Sequence, residues 1–254
     1  MITISQNIKE AAKLIKRSKC VFAFTGAGIS VESGIPPFRG DNGLWNKYDP
    51  IFLDINYFKE KPVQSWNLNY EVFYEFFNRA KPNIAHRVLA KMEEIGLLHG
   101  IITQNIDSLH HKAGSKNVLE FHGSSRNLLC IKCGRKIVFK EEILENIPPY
   151  CSKCGGLLKP DYVFFGEAVP ERVHSKAFHE AELSDLLIII GTTGEVQPAS
   201  QIPYLAKKTG AKLIEINVKN SLYTENIIDI YLEGMAAEIM ESLYYCLETG
   251  IDFP

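Results

Sequence analysis

The stretch that decides the fold is CVFAFTGAGIS, residues 20–30. Its first part, Cys20 to Phe24, is an apolar run with the length of a buried strand. Gly26 and Gly28 follow at once. A strand that delivers glycines into the start of a helical segment is a common way to bring backbone N–H groups close to a pyrophosphate. The stretch therefore predicts a nucleotide site at the end of a strand in an α/β fold.

Helix-like and strand-like segments alternate outward from this stretch. Helices are predicted at 5–17 with Ser5 as N-cap, at 83–95 with Asn83 as N-cap, at 198–209 and at 235–248. Further strands are predicted at 100–103, 118–121, 186–190, 212–216 and 227–231. Strands that alternate with helices are typical of parallel βαβ units. We therefore expect a Rossmann-like parallel sheet with helices on both faces.

Two stretches interrupt the alternation. Residues 40–82 are rich in aromatic and turn residues and predict a helical insertion, in which Phe73, Tyr74, Phe76 and Phe77 face a small core. Residues 125–158 carry four of the six cysteines. We expect the two stretches to form a small domain of helices and a zinc ribbon. The Rossmann-like, nucleotide-binding domain then comprises residues 1–39, 83–124 and 159–254.

The cysteines form two C-x2-C pairs, Cys130 with Cys133 and Cys151 with Cys154. This spacing is typical of four-thiolate zinc. Four thiolates complete a tetrahedral shell and leave no position for a reactive water. The pattern predicts one structural Zn²⁺. The alternative is four free, buried thiols.

The composition excludes some classes of function. The formal net charge is -2, and the basic residues are scattered, so we expect no nucleic-acid partner. No apolar run has membrane-spanning length, and the first residues lack a signal-peptide core, so we expect no membrane partner and a cytoplasmic location. The sequence does not identify an oligomeric state; a monomer is the working expectation.

Polar residues follow further strands of the expected sheet. Gly191, Thr192 and Thr193 come after the buried run at 186–190, and Asn217 follows the run at 212–216. The carboxyl ends of parallel strands meet at one edge, where ligands bind. The first glycines are spaced G-x-G-x5-G, which differs from the dehydrogenase pattern and argues against a hydride-transfer enzyme.

Taken together, the motifs resemble the sirtuins, the NAD-dependent protein lysine deacylases. The resemblance extends in order over residues 20 to 240 and is carried by Gly26–Ser30 with Ser33–Pro36 and Phe38–Gly40, Thr103–Asp107 with Leu109 and His110, Phe121–Gly123, the two cysteine pairs, Phe164–Glu167, and Gly191–Thr193 with Asn217. It implies a deacetylase that takes NAD and an acetylated or otherwise acylated lysine into a cleft between the two domains. The implied reaction releases nicotinamide and yields O-acyl-ADP-ribose.

The resemblance also assigns residues to each ligand. The implied NAD contacts are Gly26, Ala27, Gly28, Ser30, Phe38, Arg39, Gln104, Asn105, Ile106, Asp107, His122, Gly191, Thr192, Thr193, Asn217, Val218 and Ala236. The implied substrate contacts are Val163, Phe165, Gly166 and Glu167. The implied zinc ligands are the four cysteines already named.

The residue types suit this chemistry. An imidazole accepts a proton near neutral pH, so His122 is the candidate base for a ribose hydroxyl. Positive character at the ribose carbon favours a nearby carboxylate and amide dipole, which Asp107 and Asn105 can supply. Phe38 can keep water out, and Arg39 can pair with phosphate.

Some positions depart from the family pattern. Pro37 stands where an acidic residue is common. Asn67 and Tyr70 align with a Tyr and an Arg that bind the carboxylate of succinyl or malonyl lysine in other members. Because neither residue is a cation, we expect neutral acyl groups to be preferred. Two other functions remain open: a mono-ADP-ribosyltransferase and a non-catalytic NAD- or ADP-ribose-binding regulator.

Overall fold

The computed structural model describes residues 6–40 and 43–249, so the predicted N-cap Ser5 lies outside the described residues. The strands are β1 Val21–Thr25, β2 Gly100–Thr103, β3 Val118–Glu120, β4 Gly123–Cys130, β5 Lys136–Val138, β6 Leu158–Tyr162, β7 Leu186–Ile190, β8 Lys212–Asn217 and β9 Ile230–Glu233. The α-helices are α1 Gln6–Arg17, α2 Ile55–Glu60, α3 Pro62–Asn69, α4 Glu75–Arg79, α5 Ile84–Glu94, α6 Leu109–Ala113, α7 Glu171–Leu183, α8 Gln201–Lys208 and α9 Ala236–Thr249.

The large sheet is parallel and has the strand order β3-β2-β1-β7-β8-β9. Every residue of β1 and β7 is buried, as expected for central strands covered on both faces. The order reverses between β1 and β7, and ligands of open α/β sheets bind at such a switch point. The fold class predicted from the alternation is confirmed.

Helices cover both faces of this sheet. On one face α1, α5 and α9 pack a core that includes Ile15, Leu89 and Met240. On the other face α7 and α8 pack Ala177 and Ala206 against the strands. Within residues 6–40 and 43–249, no helix is both long and apolar enough to cross a lipid bilayer.

A smaller lobe joins the helical insertion to the cysteine-bearing sheet. The antiparallel sheet has the order β5-β4-β6. The indole of Trp66 on α3 is fully buried and donates to the carbonyl of Leu158 at 2.9 Å, which connects helix and sheet. Of the four aromatic residues predicted to face this core, Phe73, Tyr74 and Phe77 are buried and Phe76 is half-buried.

Several predicted boundaries differ from the structure. The last strand lies at 230–233 rather than 227–231, because the Asp229 carboxylate accepts from the backbone N–H of Leu213 and from Lys207 and Lys212 in a turn before the strand. The apolar Ile227 and Ile228 precede the strand and pack, partly buried, against the core on one face of the sheet. The cysteine-bearing sheet spans residues 123–162, which is wider than the expected 125–158. Helix α7 had not been predicted.

Candidate active site

The two glycine turns lie against each other at the switch point. The N–H of Gly28 donates to the carbonyl of Gly191 at 2.8 Å, and the N–H of Gly26 donates to Ile190 at 2.9 Å. A Cβ on Gly28 would lie 2.5 Å from the Cα of Gly191, closer than any real contact. These two N–H groups are therefore used between the turn after β1 and the end of β7. The glycines permit close packing of the turns.

A cleft of about 620 Å³ opens beside these turns, at the carboxyl ends of the strands and against the small lobe. It brings together most residues predicted to contact NAD or substrate: Gly26, Ala27, Gly28, Phe38, Arg39, Gln104, Asn105, Ile106, His122, Val163, Phe165, Gly166, Glu167, Gly191, Thr192, Thr193, Asn217, Val218 and Ala236. Ser30 and Asp107 do not line it. The polar groups of distant segments thus converge in one cavity.

Asp107 and Ser30 lie behind the wall of the cleft. Both are buried, and the Asp107 carboxylate accepts from the Ser30 hydroxyl at 2.7 Å and from the N–H of Leu109 at 2.8 Å. Burial raises the pKa of Asp107, while these hydrogen bonds act in the opposite direction. In the structure the two side chains bond each other behind the wall of the cleft. They join the loop after β2 to the turn after β1.

Asn105 forms part of the cleft wall in front of this pair. Its carboxamide donates to the carbonyl of Gly26 at 3.0 Å, and its backbone N–H donates to the hydroxyl of Thr103 at 3.0 Å. Both bonds are buried, so the amide plane is fixed before any ligand binds. A fixed dipole of this kind stabilises charge that develops in a reaction without further reorganisation.

His122 follows β3 and precedes Gly123, whose φ of 82° belongs to the left-handed region. Nδ1 of His122 lies 3.1 Å from the carbonyl of Gln104. A carbonyl only accepts, so Nδ1 carries the proton and Nε2 is left as an acceptor, which is the tautomer that a base requires. Burial lowers the pKa of His122, partly offset by this hydrogen bond. The imidazole is therefore neutral at physiological pH.

A pair of buried histidines lies behind the cleft. Nε2 of His110 contacts the Thr25 hydroxyl at 2.9 Å, and Thr25 bonds Thr103 at 2.8 Å. The rings of His86 and His110 are 4.9 Å apart. Burial lowers the pKa of His86 to about 3 and that of His110 well below its ordinary value. Both histidines are therefore structural and neutral, and they support the wall that holds Asn105.

These histidines predict a pH-dependent stability. Unfolded histidine binds a proton below about pH 6.5, whereas folded His86 stays neutral to about pH 3. The unfolded state then binds more protons, so the free energy of unfolding falls as pH decreases below 6.5, by up to about 1.4 kcal/mol per pH unit for each histidine. Urea unfolding at pH 7.5 and 5.0 measures this. His86→Gln should weaken the dependence and exposed His179→Gln should not; equal dependence in all three proteins would refute the assignment.

The far end of the cleft is built by the turns after β7 and β8. The carboxamide of Asn217 donates to the carbonyl of Thr192 at 3.0 Å, and the carboxamide of Gln104 donates to the hydroxyl of Thr192 at 3.0 Å. Three strand ends are thus connected by side-chain amides. Buried Glu215 accepts from Thr224 at 2.7 Å beneath Asn217, a support that sequence reasoning missed.

Phe38 and Arg39 close the cofactor side of the cleft. The ring of Phe38 stacks on Trp45 with centroids 5.1 Å apart and meets Phe73 edge-on at 6.1 Å. The guanidinium of Arg39, expected to pair with phosphate, forms an ion pair with Glu195 at 3.0 Å. Both partners are about half exposed, so the pair is weak and an anionic ligand can replace Glu195.

The acyl-selectivity residues inferred from sequence do not line the cleft. Asn67 is exposed on α3, and Tyr70 stacks on Tyr74 with centroids 6.3 Å apart. The small-lobe end of the cleft is instead lined by apolar and aromatic side chains: Trp45, Leu53, Phe73, Tyr162, Phe164 and Phe165. Among the described lining residues, the cations are Arg39 and Lys219, which belong to the cofactor segments.

The four cysteines of the small lobe form a separate cluster. Their sulfurs all lie within 4.8 Å of one another, with Cys130 and Cys154 at 3.5 Å and Cys133 and Cys151 at 3.9 Å. Tetrahedral zinc with Zn–S bonds of about 2.3 Å requires sulfurs about 3.8 Å apart. A Cβ on Gly156 would lie 2.9 Å from the Cys130 sulfur, so this glycine leaves room for the cluster. The donor set and spacing fit one structural Zn²⁺.

The chain was compared with known proteins. The Sir2 family model matches residues 26–198. "NAD-dependent protein deacetylase 1" of Pyrobaculum aerophilum is 44% identical over 241 residues, covering 94% of each chain. "NAD-dependent protein deacylase" of Aeropyrum pernix is 45% identical over 244 residues, covering 96% of this chain and 98% of the relative.

A solved Sir2 structure supports the same relationship. A Sir2 mutant in complex with deacetylated p53 peptide and 3'-O-acetyl ADP-ribose is similar with a TM-score of 0.89 and 34% identity, covering 96% of this chain and 99% of that chain. The family model covers more than half of the sequence, and the relatives cover nearly all of it. With its parallel sheet, its four-cysteine cluster and the cleft between them, the chain belongs to the Sir2 family.

Proposed function

We propose that the protein is an NAD-dependent protein lysine deacetylase that releases nicotinamide and forms O-acetyl-ADP-ribose. The observation that carries the proposal is the cleft itself, where His122 in the tautomer of a base, the fixed amide of Asn105 and the paired glycine turns surround one cavity. The relative at 44% identity is named an NAD-dependent protein deacetylase, and the relative at 45% identity is named an NAD-dependent protein deacylase. The substrate class is acetyl-lysine in proteins.

Bound NAD supplies an electrophilic ribose carbon from which nicotinamide departs and to which the acyl oxygen adds. Asn105 orients its amide dipole toward the cleft, and Asp107 acts through Ser30 and the backbone to hold this wall in place. His122 takes a proton at Nε2 from a ribose hydroxyl, because Nδ1 is committed to Gln104. Phe38 shields the reacting face from water.

The arrangement of ligands follows from the two lobes. We assign the large domain to residues 1–39, 83–124 and 159–254 and the small domain to residues 40–82 and 125–158, with strands β4 and β6 crossing the boundary between them. NAD occupies the edge formed by β1, β2, β7 and β8, and the acyl-lysine enters beside segment 163–167. We expect a monomer acting on proteins in the cytoplasm, without nucleic-acid or membrane partners.

One assay separates the three candidate functions. Purified protein is incubated with NAD and an acetyl-lysine peptide, and the products are identified by mass spectrometry. A deacetylase yields nicotinamide, free lysine peptide and O-acetyl-ADP-ribose in equal amounts. A non-catalytic regulator yields none of these products. A mono-ADP-ribosyltransferase releases nicotinamide and attaches ADP-ribose to protein, which mass spectrometry detects as an added mass.

We predict that acetyl-lysine is a better substrate than succinyl-lysine. The small-lobe end of the cleft is apolar, and no described cation lines it there. Burying an unpaired carboxylate costs several kcal/mol, so kcat/KM should fall by at least about tenfold. Matched peptides carrying acetyl, butyryl or succinyl lysine measure the effect. Butyryl-lysine controls for chain length, and a succinyl peptide with a higher kcat/KM than the acetyl peptide would contradict the prediction.

A further inference from the structure

A buried lysine lies behind the substrate segment Val163–Glu167. Lys159, on β6, is 3% exposed. Its Nζ donates to the carbonyls of Tyr162 at 2.7 Å and Pro160 at 2.9 Å, and it contacts the Glu167 carboxylate at 3.0 Å. An ammonium has three donor hydrogens, and here each has an acceptor. Burial lowers the pKa of Lys159, and the charge of Glu167 and its hydrogen bond oppose that shift, so the pairing offsets part of the cost of burying the ammonium.

Glu167 completes the arrangement from the other end of the segment. The carboxylate oxygen that contacts Lys159 also accepts from the N–H of Phe164 at 2.9 Å. The lysine Nζ lies 4.5 Å from the centre of the Phe164 ring. The carboxylate of Glu167 is therefore turned toward its own segment, although sequence reasoning assigned it to the substrate.

The segment held in this way connects the two lobes. The N–H of Val163 donates to the carbonyl of His122 at 2.8 Å. The N–H of Phe165 donates to Leu53 at 2.8 Å, and the carbonyl of Phe165 accepts from Ile55 at 3.1 Å. The Phe165 side chain is 51% exposed and lines the cleft. A change in the segment therefore alters the surface that an acyl-lysine peptide meets.

We propose that Lys159 and Glu167 are positioning residues that hold segment 163–167 in the shape that binds the acyl-lysine peptide. The proposal rests on the proposed function, since it concerns the peptide side of the same cleft. Glu167 acts through the backbone of Phe164 and through Lys159 rather than by contact with the peptide. An extended peptide can then pair with the backbone of segment 163–167 without first having to order that segment.

The test compares Lys159→Met and Glu167→Gln with the unaltered protein. We expect the KM for an acetyl-lysine peptide to rise about tenfold, while kcat and the KM for NAD change less than twofold. Because the two side chains act as a unit, the double variant should be no worse than the more impaired single variant. The matched control is Lys136→Met, which breaks the ion pair between exposed Lys136 and half-buried Asp161 at 2.7 Å on the same small sheet; its KM values should not change.

Peptide affinity is also measured directly by fluorescence anisotropy, which does not depend on turnover. If the unaltered protein binds the peptide without releasing nicotinamide, the proposed function fails, and the affinities of the variants still decide this proposal. Unchanged peptide affinity and KM in folded Glu167→Gln overturn it. Equal losses for NAD and peptide also overturn it, because they show a general structural role. If Lys159→Met does not fold, the near-isosteric Glu167→Gln decides the outcome.

Discussion

His122→Ala is expected to lower the deacetylation rate by on the order of 10²-fold or more, the usual contribution of a general base. The reason is geometric: Nδ1 of His122 is committed to the carbonyl of Gln104 at 3.1 Å, so Nε2 is the acceptor available for the ribose proton. Alanine leaves no acceptor at this place. The measurement is kcat/KM with an acetyl-lysine peptide, followed as release of the free lysine product.

The same variant should retain its fold, its NAD affinity and some nicotinamide exchange. The glycine turns, Asn105 and Asn217 form their hydrogen bonds without the imidazole. The control is His174→Ala, which removes a half-buried histidine that does not line the cleft. A His122→Ala protein that deacetylates at nearly the original rate would refute the assignment. His110 could not then replace it, because His110 is buried against Thr25 and does not line the cleft.

The pH profile gives an independent check on this base. Burial lowers the pKa of His122 below its ordinary value of 6.5, and the hydrogen bond to Gln104 opposes only part of the shift. A base works when deprotonated, so activity should be constant above neutral pH and should fall as the pH drops through a value below 6.5. An acid limb centred above pH 6.5 that disappears in the variant would contradict the lowered pKa.

The local signals around residues 20–30 and 186–190 predicted the parallel sheet correctly. Apolar runs followed by glycine and polar residues depend on short-range chemistry, which sequence displays directly. The packing role of Gly26 and Gly28 could not be predicted from the sequence, since their N–H groups bond strand β7 and the turn that follows it, more than 160 residues away. Only the packing of the two turns reveals that contact.

In the helical insertion, the sequence did not predict which side chains reach the cleft. Asn67 and Tyr70 are three residues apart and share a helical face, but the buried residues of α3 are Ser65, Trp66 and Asn69. A π-helical turn at Tyr70–Tyr74 then changes the helical repeat before α4. Phe73 reaches the cleft and Tyr70 does not. An alignment that assumes regular helical spacing therefore selects the wrong residues for the acyl pocket.

Buried polar residues were the least predictable part of the site. Asp107 and Lys159 belong to residue types that are mostly exposed, yet their relative exposures are 5% and 3%. Asp107 can be buried because its carboxylate accepts a hydrogen bond from Ser30, which is distant in sequence. Lys159 can be buried because its ammonium is paired with Glu167 across a tight turn. The sequence motif assigned Asp107 and Glu167 to ligands, and only the structure reveals the protein groups that their side chains bond.

Cys151→Ser is expected to abolish zinc binding and to leave little soluble protein. Structural zinc bound by peptides contributes about 10–16 kcal/mol of apparent binding free energy, which at such sites is folding free energy. Here Cys130 and Cys151 are buried in the same core as Trp66 and Leu128, so the loss of the ion opens the core of the small lobe. Metal analysis should give one zinc per chain in the unaltered protein and none in the variant.

The damage should extend from the metal to the substrate side of the cleft. Strand β6 begins at Leu158, where the backbone accepts the Trp66 indole, and it contains Lys159 and ends at Tyr162 beside segment 163–167. Disorder of the cysteine cluster therefore removes support from the helical insertion and from segment 163–167. The control is Cys20→Ser, a half-buried cysteine outside the cluster, which should keep zinc, solubility and activity. A Cys151→Ser protein that is soluble, metal-free and fully active would show that the cysteines hold no ion that the fold requires.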